Sequence, residues 1–254
     1  MTLLRDTGAL LQRNLTKLVR NPTLLGTNLA TPLLFLFLLG SLFQKLSVFP
    51  GVSGNYLDYL TPGVLVLVAT IGAPASGVAM ANDLNSGVLS KMLLTQVNRP
   101  AILLGRLLTD ITVVFIQSLM VVVAALALGV TIADGVPGVL FILVTVAFFE
   151  LGLSGIFLFL GMWSRKVETI SAFSGAVFFP LIFISTAMFP SSFFPAWAQT
   201  ISQYNPVSYA ADVVRGLVQG GLTWGTVVSA YSVIGLIALA AMAATLYQFR
   251  KVVR

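Results

Sequence analysis

Six stretches of this chain, 23–43, 59–81, 101–129, 137–163, 169–188 and 223–249, are apolar over about twenty residues or more. A hydrocarbon core of about 30 Å takes roughly 20 helical residues to cross, and a helix satisfies its own backbone hydrogen bonds in lipid. The pattern therefore predicts an all-α integral membrane protein with six transmembrane helices, forming a single domain over 1–254. Composition agrees: 57% of the residues are apolar and 9% charged, whereas a soluble domain carries roughly 25% charge. The third and fourth runs are long enough to tilt or to project beyond the bilayer.

Lysine and arginine orient the spans. With the N-terminus inside, twelve of the fourteen basic residues fall in or next to the cytoplasm, and only Lys45 and Arg215 fall outside. The positive-inside rule then puts both termini in the cytoplasm of a cell with a multi-pass protein in its cytoplasmic membrane. The same rule accounts for a pI near 9.9. No RNA- or DNA-reading motif accompanies the charge, so nucleic acid is not an expected partner.

Residues 1–22 precede the first span. Leu4, Leu11, Leu15 and Leu18 share one helical face and Arg13, Lys17 and Arg20 the opposite one, the segregation of a helix lying on the cytoplasmic membrane surface. The following apolar run is too long for a signal peptide, and no small-residue cleavage site follows it. Asn21-Pro22 is expected to end this helix and start the first span.

Residues 189–222 are unusual for a connection. They hold Pro190, Pro195 and Pro206 and six aromatic residues, including Trp197 and Tyr209, but only Asp212 and Arg215 as charges. Asn205 is a good N-cap, Pro206 suits the next position and Gly220 is a plausible stop. The expectation is a pair of short extracellular re-entrant helices, 195–203 and 206–219, with aromatic rings at headgroup level. An ordinary aromatic-rich outer loop is the alternative.

The chain has neither cysteine nor histidine, which excludes disulfides, thiolate chemistry and the commonest transition-metal ligands. None of its lysines precedes Ser or Thr, so it lacks a P-loop for nucleotide phosphates. No cofactor is expected on this chain, and intrinsic catalysis is not expected. Three charged residues lie within the spans. Arg106 and Asp110 are one helical turn apart, and a structural ion pair is favoured over a substrate role. Glu150 has no local basic partner. Ionised at mid-membrane it would cost on the order of 2.5 kcal/mol or more, so it is expected to be protonated, hydrogen-bonded between helices or facing a wet cavity. A structural hydrogen bond and a place in a translocation path are both open. Small residues at Gly152, Ser154, Gly155 and Gly161, and from Ala238 to Ala244, permit close helix packing without assigning a face. Pro74 and Pro180 interrupt the second and fifth spans.

The polar stretch 82–100 lies between the second and third spans, on the inside, with Asp83, Lys91 and Arg99 as its charges. Leu89, Met92, Leu93 and Gln96 fall on one helical face, so the segment is read as an amphipathic helix offered to something outside the chain.

Several short motifs then line up along the whole chain: Tyr59-Leu60-Thr61-Pro62-Gly63, Asp83-x-x-x-Gly87, Leu93-Leu94-Thr95-x-Val97-x-Arg99, Gly105-Arg106-x-x-x-Asp110, Phe179-Pro180 through Met188-Phe189-Pro190, and Tyr204-Asn205-Pro206-x-x-Tyr209 followed by Arg215. In order and spacing they resemble the type-2 ABC transporter permeases, notably the daunorubicin-resistance branch. The resemblance implies a non-catalytic transmembrane subunit that pairs with a second permease, identical or related, above two separate ATPase subunits. Those subunits would bind ATP and Mg. It further implies that 87–99 is a coupling helix seated on the ATPase, flanked by the interfacial helix, and that the cargo is an amphipathic drug, lipid or lipid-linked glycan. One departure is Gln96, where the family often has proline. The rival from another class is a secondary transporter or channel that needs no ATPase.

Overall fold

A computed structural model of the chain describes residues 3–20, 22–43 and 56–252. Asn21, Lys45 and Arg254, used above for topology, lie outside the described residues. Every regular element among the described residues is helical: α1 (Leu3–Val19), α2 (Pro22–Phe43), α3 (Tyr56–Gly72), α4 (Pro74–Asn85), α5 (Val88–Leu93), α6 (Arg99–Ala127), α7 (Gly135–Ser164), α8 (Val167–Phe173), α9 (Phe179–Phe183), α10 (Ala196–Gln203), α11 (Pro206–Gln219) and α12 (Trp224–Val252).

Among the described residues, four helical runs are long and apolar enough to cross a membrane: Tyr56–Asn85, Arg99–Ala127, Gly135–Ser164 and Trp224–Val252. They correspond to the second, third, fourth and sixth expected spans. Where the first was expected, α2 is helical over Pro22–Phe43, and where the fifth was expected, the apolar helical segment is shorter, Val167–Phe183. The difference in the fifth has a local cause. Pro180 has no N–H to donate and its ring crowds the carbonyl one turn back, and the turn before it, Ser174–Phe178, is a wide π-helix. After Phe183 the chain leaves the helix, so residues 184–188 are not part of it as the sequence had predicted. Pro74 acts more mildly. Ala73 stays in the right-handed helical region, and α3 and α4 make one run.

α3 is the hub, buried almost continuously from Tyr56 to Thr70 and packed by α2, α6, α7 and α11. In lipid, apolar side chains gain little by leaving the solvent, so helices associate through close packing and hydrogen bonds. The glycines serve that end. Gly77 of α4 and Gly161 of α7 face each other so closely that a methyl on Gly161 would strike the Gly77 carbonyl, and one on Gly77 the Phe157 carbonyl. Gly152 and Gly155 pack on Ala238 and Ala241 of α12, and the Thr245 hydroxyl donates to the Gly155 carbonyl at 2.7 Å. Gly152 and Gly155 thus meet Ala238 and Ala241 in one contact, α7 against α12, while Gly161 of the same set serves the contact with α4.

Candidate functional site

A cavity of about 380 Å³ lies among α1, α4, α6 and α7. All three charged residues singled out within the spans, Arg106, Asp110 and Glu150, line it. Arg106 and Asp110 form the expected ion pair, at 3.4 Å. Two contacts from α4 extend it: the Ser76 hydroxyl donates to the Asp110 carboxylate, and Arg106 donates to the Ala75 carbonyl at 3.0 Å. Glu150 is 2% exposed. Its Oε1 accepts from the Ser154 hydroxyl one turn along α7, at 2.7 Å, and its Oε2 is buried without a hydrogen-bond partner. The bond that Glu150 makes is therefore within its own helix, not between helices, and the residue faces the cavity.

At the inner end, α1 packs along α6, with Leu10 against Gly105 and Asn14 donating to Thr109 at 3.3 Å. Asp6, only 5% exposed, accepts from the backbone N–H of Asn98 at 3.0 Å. Asn98 is the N-cap of α6, so a carboxylate from α1 stands where unpaired N–H groups and the helix dipole favour negative charge. This tie escaped the sequence reading because 92 residues separate its partners. Arg13 and Lys17 each lie 3.5 Å from the Asp83 carboxylate on α4, and Arg13 also donates to the Met92 sulfur. Arg20 is exposed. None of Leu4, Leu11, Leu15 and Leu18 is buried in the protein, and Leu4 is 85% exposed. An apolar face left open in this way suits a helix lying on a membrane.

The polar stretch 82–100 is organised differently from its expectation. Residues 82–85 continue α4, Arg99 and Pro100 begin α6, and the helix between them is only Val88–Leu93. It opens at Gly87, whose φ of +70° is one that a residue with a Cβ rarely adopts. The apolar stripe turns inward. Leu89 is buried, and Met92, Leu93 and Val97 pack with Leu10, Met80 and Ile102. The physical reason is length: a six-residue helix held at both ends by longer ones buries its apolar side on the inner ends of α1 and α6. What faces out is Leu94, 88% exposed, with exposed Lys91, Thr95, Gln96 and Arg99 around it. The Thr95 N–H and hydroxyl both donate to the Met92 carbonyl, so the turn closes without a proline at Gln96.

At the end expected to lie outside, the helix ranges match the sequence. α10 and α11 occupy the ranges expected for the short helix pair. Asn205 caps α11, its side chain accepting from Val207 N–H at 3.0 Å, and Gly220 ends it with φ +78°. Asn205 also donates to the Leu181 carbonyl at 2.7 Å. Arg215 bonds Asp212 at 2.7 Å, donates to the Thr186 carbonyl and lies 4.1 Å above the Tyr59 ring. The Tyr59 hydroxyl meets the same carbonyl at 2.9 Å, and Thr186 donates to Asp212 at 3.0 Å. Motif residues of α3, of the turn after α9 and of α11 thus converge on one backbone carbonyl. Pro190 opens a short 3-10 turn and Pro195 caps α10. Trp197 is 62% exposed, while Tyr209 is half-buried against the core.

Comparison with known proteins fits this architecture. The family pattern for the ABC-2 type transporter matches residues 5–218. The transport permease ycf38 of Pyropia yezoensis is 30% identical over 96% of this chain and 88% of its own length. The daunorubicin resistance ABC transporter permease protein DrrB1 of Streptomyces coeruleorubidus is 30% identical over 74% of this chain and 66% of its own. Nodulation protein J of Rhizobium leguminosarum bv. trifolii is 27% identical over 78% of this chain. This chain belongs to the ABC-2 type transporter family.

Proposed function

We propose that the chain is the permease subunit of an ABC exporter, working with a separate cytoplasmic subunit that binds ATP and Mg. It pairs with a second permease, identical or related, crosses the cytoplasmic membrane six times with both termini inside, and carries an amphipathic drug, lipid or lipid-linked molecule outward. The observation that carries this reading is the exposed apex at Leu94, projecting between two membrane-length helices beside Lys91, Thr95 and Gln96. A large aliphatic side chain so exposed, on a segment whose other apolar residues are buried in the chain itself, is a ready anchor for a partner's groove. Family membership and the names of drug-resistance relatives support the rest. Coupling requires that the ATPase contact differ in energy between two states of the permease. The contact reaches the cavity through few steps, since Met92 on α5 touches Arg13, and Arg13 pairs with Asp83 on the cavity wall.

Leu94→Asp tests the reading. The variant is expected to insert and fold normally, yet to lose co-purification with the ATPase encoded beside it and to lose cargo-stimulated ATP hydrolysis. Met92 and Leu93, which pack inward, are poorer probes because Asp there disturbs the fold itself. Full ATPase binding and coupling in Leu94→Asp would sink the docking role, and export that continues without any ATPase would favour a secondary transporter.

A further inference from the structure

The cavity walls carry five ionisable groups, and four of them already have a partner. Lys17 pairs with Asp83 at its inner mouth, and Arg106 pairs with Asp110 deeper in. The fifth is Glu150, whose Oε2 is buried with no hydrogen bond among the described residues. In neither protonation state is that atom satisfied: as a hydroxyl it lacks an acceptor, and as a carboxylate oxygen it lacks a donor. Ser154 satisfies only Oε1. A buried polar atom left in this way, on a side chain that lines a cavity large enough for a small molecule, points to a ligand that completes it once the carboxyl turns toward the cavity.

We propose that this cavity binds an organic ammonium group carried on an apolar body, with Glu150 as its counter-ion. The ammonium N–H donates to Oε2, and the positive charge compensates a carboxylate that has no basic partner of its own. Ala75, Val78, Ala79, Val113 and Val114 supply apolar wall for the body of the ligand. An anionic headgroup fits less well, because both wall cations are engaged and two carboxylates would face it. A neutral alcohol can also meet Oε2 but brings no charge, and that difference is what an experiment reads. As the cargo class of the exporter, the inference rests on the function proposed above. The binding itself is measured on the permease without any ATPase, so its failure and a failure of ATPase coupling are told apart.

The test uses the full chain in lipid nanodiscs, titrated calorimetrically with 4-phenylbutylammonium and with 4-phenylbutanol, empty nanodiscs serving as the reference. Saturable binding of the amine, at least tenfold tighter than the alcohol, is expected. Glu150→Gln, which keeps the shape and the Ser154 contact, is expected to erase the preference for the amine over the alcohol. Because that variant can fail to fold, a photoreactive aryl ketone bearing a benzylammonium group is used on the wild type. Labelling confined to α1, α4, α6 and α7, and displaced by 4-phenylbutylammonium, supports the site. Equal affinity for amine and alcohol, an unchanged preference in a folded Glu150→Gln, or labelling elsewhere overturns it.

Discussion

The two ends of this molecule are fastened by different chemistry. At the outer end, α3, α11 and the turn after α9 are joined through Tyr59, Thr186, Asn205 and Arg215, and most of the acceptors are backbone carbonyls. At the opposite end Asp6 ties α1 to the start of α6, but α1, α4 and α5 are joined by Arg13, Lys17 and Asp83, whose side chains are 28%, 57% and 30% exposed, and by a methionine sulfur. Breaking an outer tie takes a donor from a part-buried carbonyl, and an unsatisfied buried group costs about 1–3 kcal/mol. Breaking an inner one returns charges to water, and such pairs contribute about 0–1 kcal/mol. The outer end is a clamp and the inner end an adjustable joint. The exporter proposed above, driven from its cytoplasmic face, would use that asymmetry, because the end that receives the movement must give while the far end keeps its shape.

Arg215→Ala should show the largest effect. It removes the bonds to Asp212 and the Thr186 carbonyl and the stacking on Tyr59, at a side chain only 15% exposed. A loss of about 2–3 kcal/mol is expected from the charged bond to the carbonyl and the aromatic stack, while Asp212, whose side chain is 44% exposed, is left in contact with water. Reversible unfolding in mixed micelles measures it, and a loss below about 1 kcal/mol, the range of exposed pairs, would erase the contrast between the ends. Asn205→Ala comes next. It removes the α11 cap and the donor to the Leu181 carbonyl, and about 1–2 kcal/mol is expected for the two together. If both outer variants unfold no more readily than wild type, the clamp is elsewhere.

How much of this was legible in the sequence follows the range of the interactions involved. Asn205-Pro206 and Gly220 mark α11 because capping is a matter of adjacent residues, and its ends fell where expected. The Arg106–Asp110 pair was legible for the same reason, at one helical turn. The direction of the Leu89, Met92 and Leu93 stripe was not. Periodicity shows that a face exists but not whether the chain's own helices or a partner covers it, and here Leu10 and Ile102 do. Asp6 carried no local signal at all, since its partner lies at the start of α6. The fifth helix ended early because Pro180 acts through the turn before it, which hydropathy does not register. The cavity is of the same kind: Arg106, Asp110 and Glu150 were each visible, but their meeting depends on helix packing between distant segments, such as the close approach of α4 and α7 at Gly77 and Gly161.

Asp83→Ala should show the smallest effect on stability and is the sharper probe of the joint. It frees Arg13 and Lys17, both already in contact with solvent, so the change in unfolding free energy is expected to stay within about 0.5 kcal/mol. Screening makes the assignment more specific. Exposed charges interact over about 10 Å at 0.1 M salt and about 3 Å at 1 M, so any difference between Asp83→Ala and wild type should fade as salt rises. The Arg215→Ala difference, resting on bonds to a carbonyl and an aromatic face, should persist. Transport is expected to respond in the opposite order. Asp83 connects α1 to α4 on the cavity wall, and its loss uncouples ATP hydrolysis from cargo movement with little change in fold. A variant that is both as stable and as well coupled as wild type would show that α1 and α4 move independently, and that the inner ties are not part of the transmission.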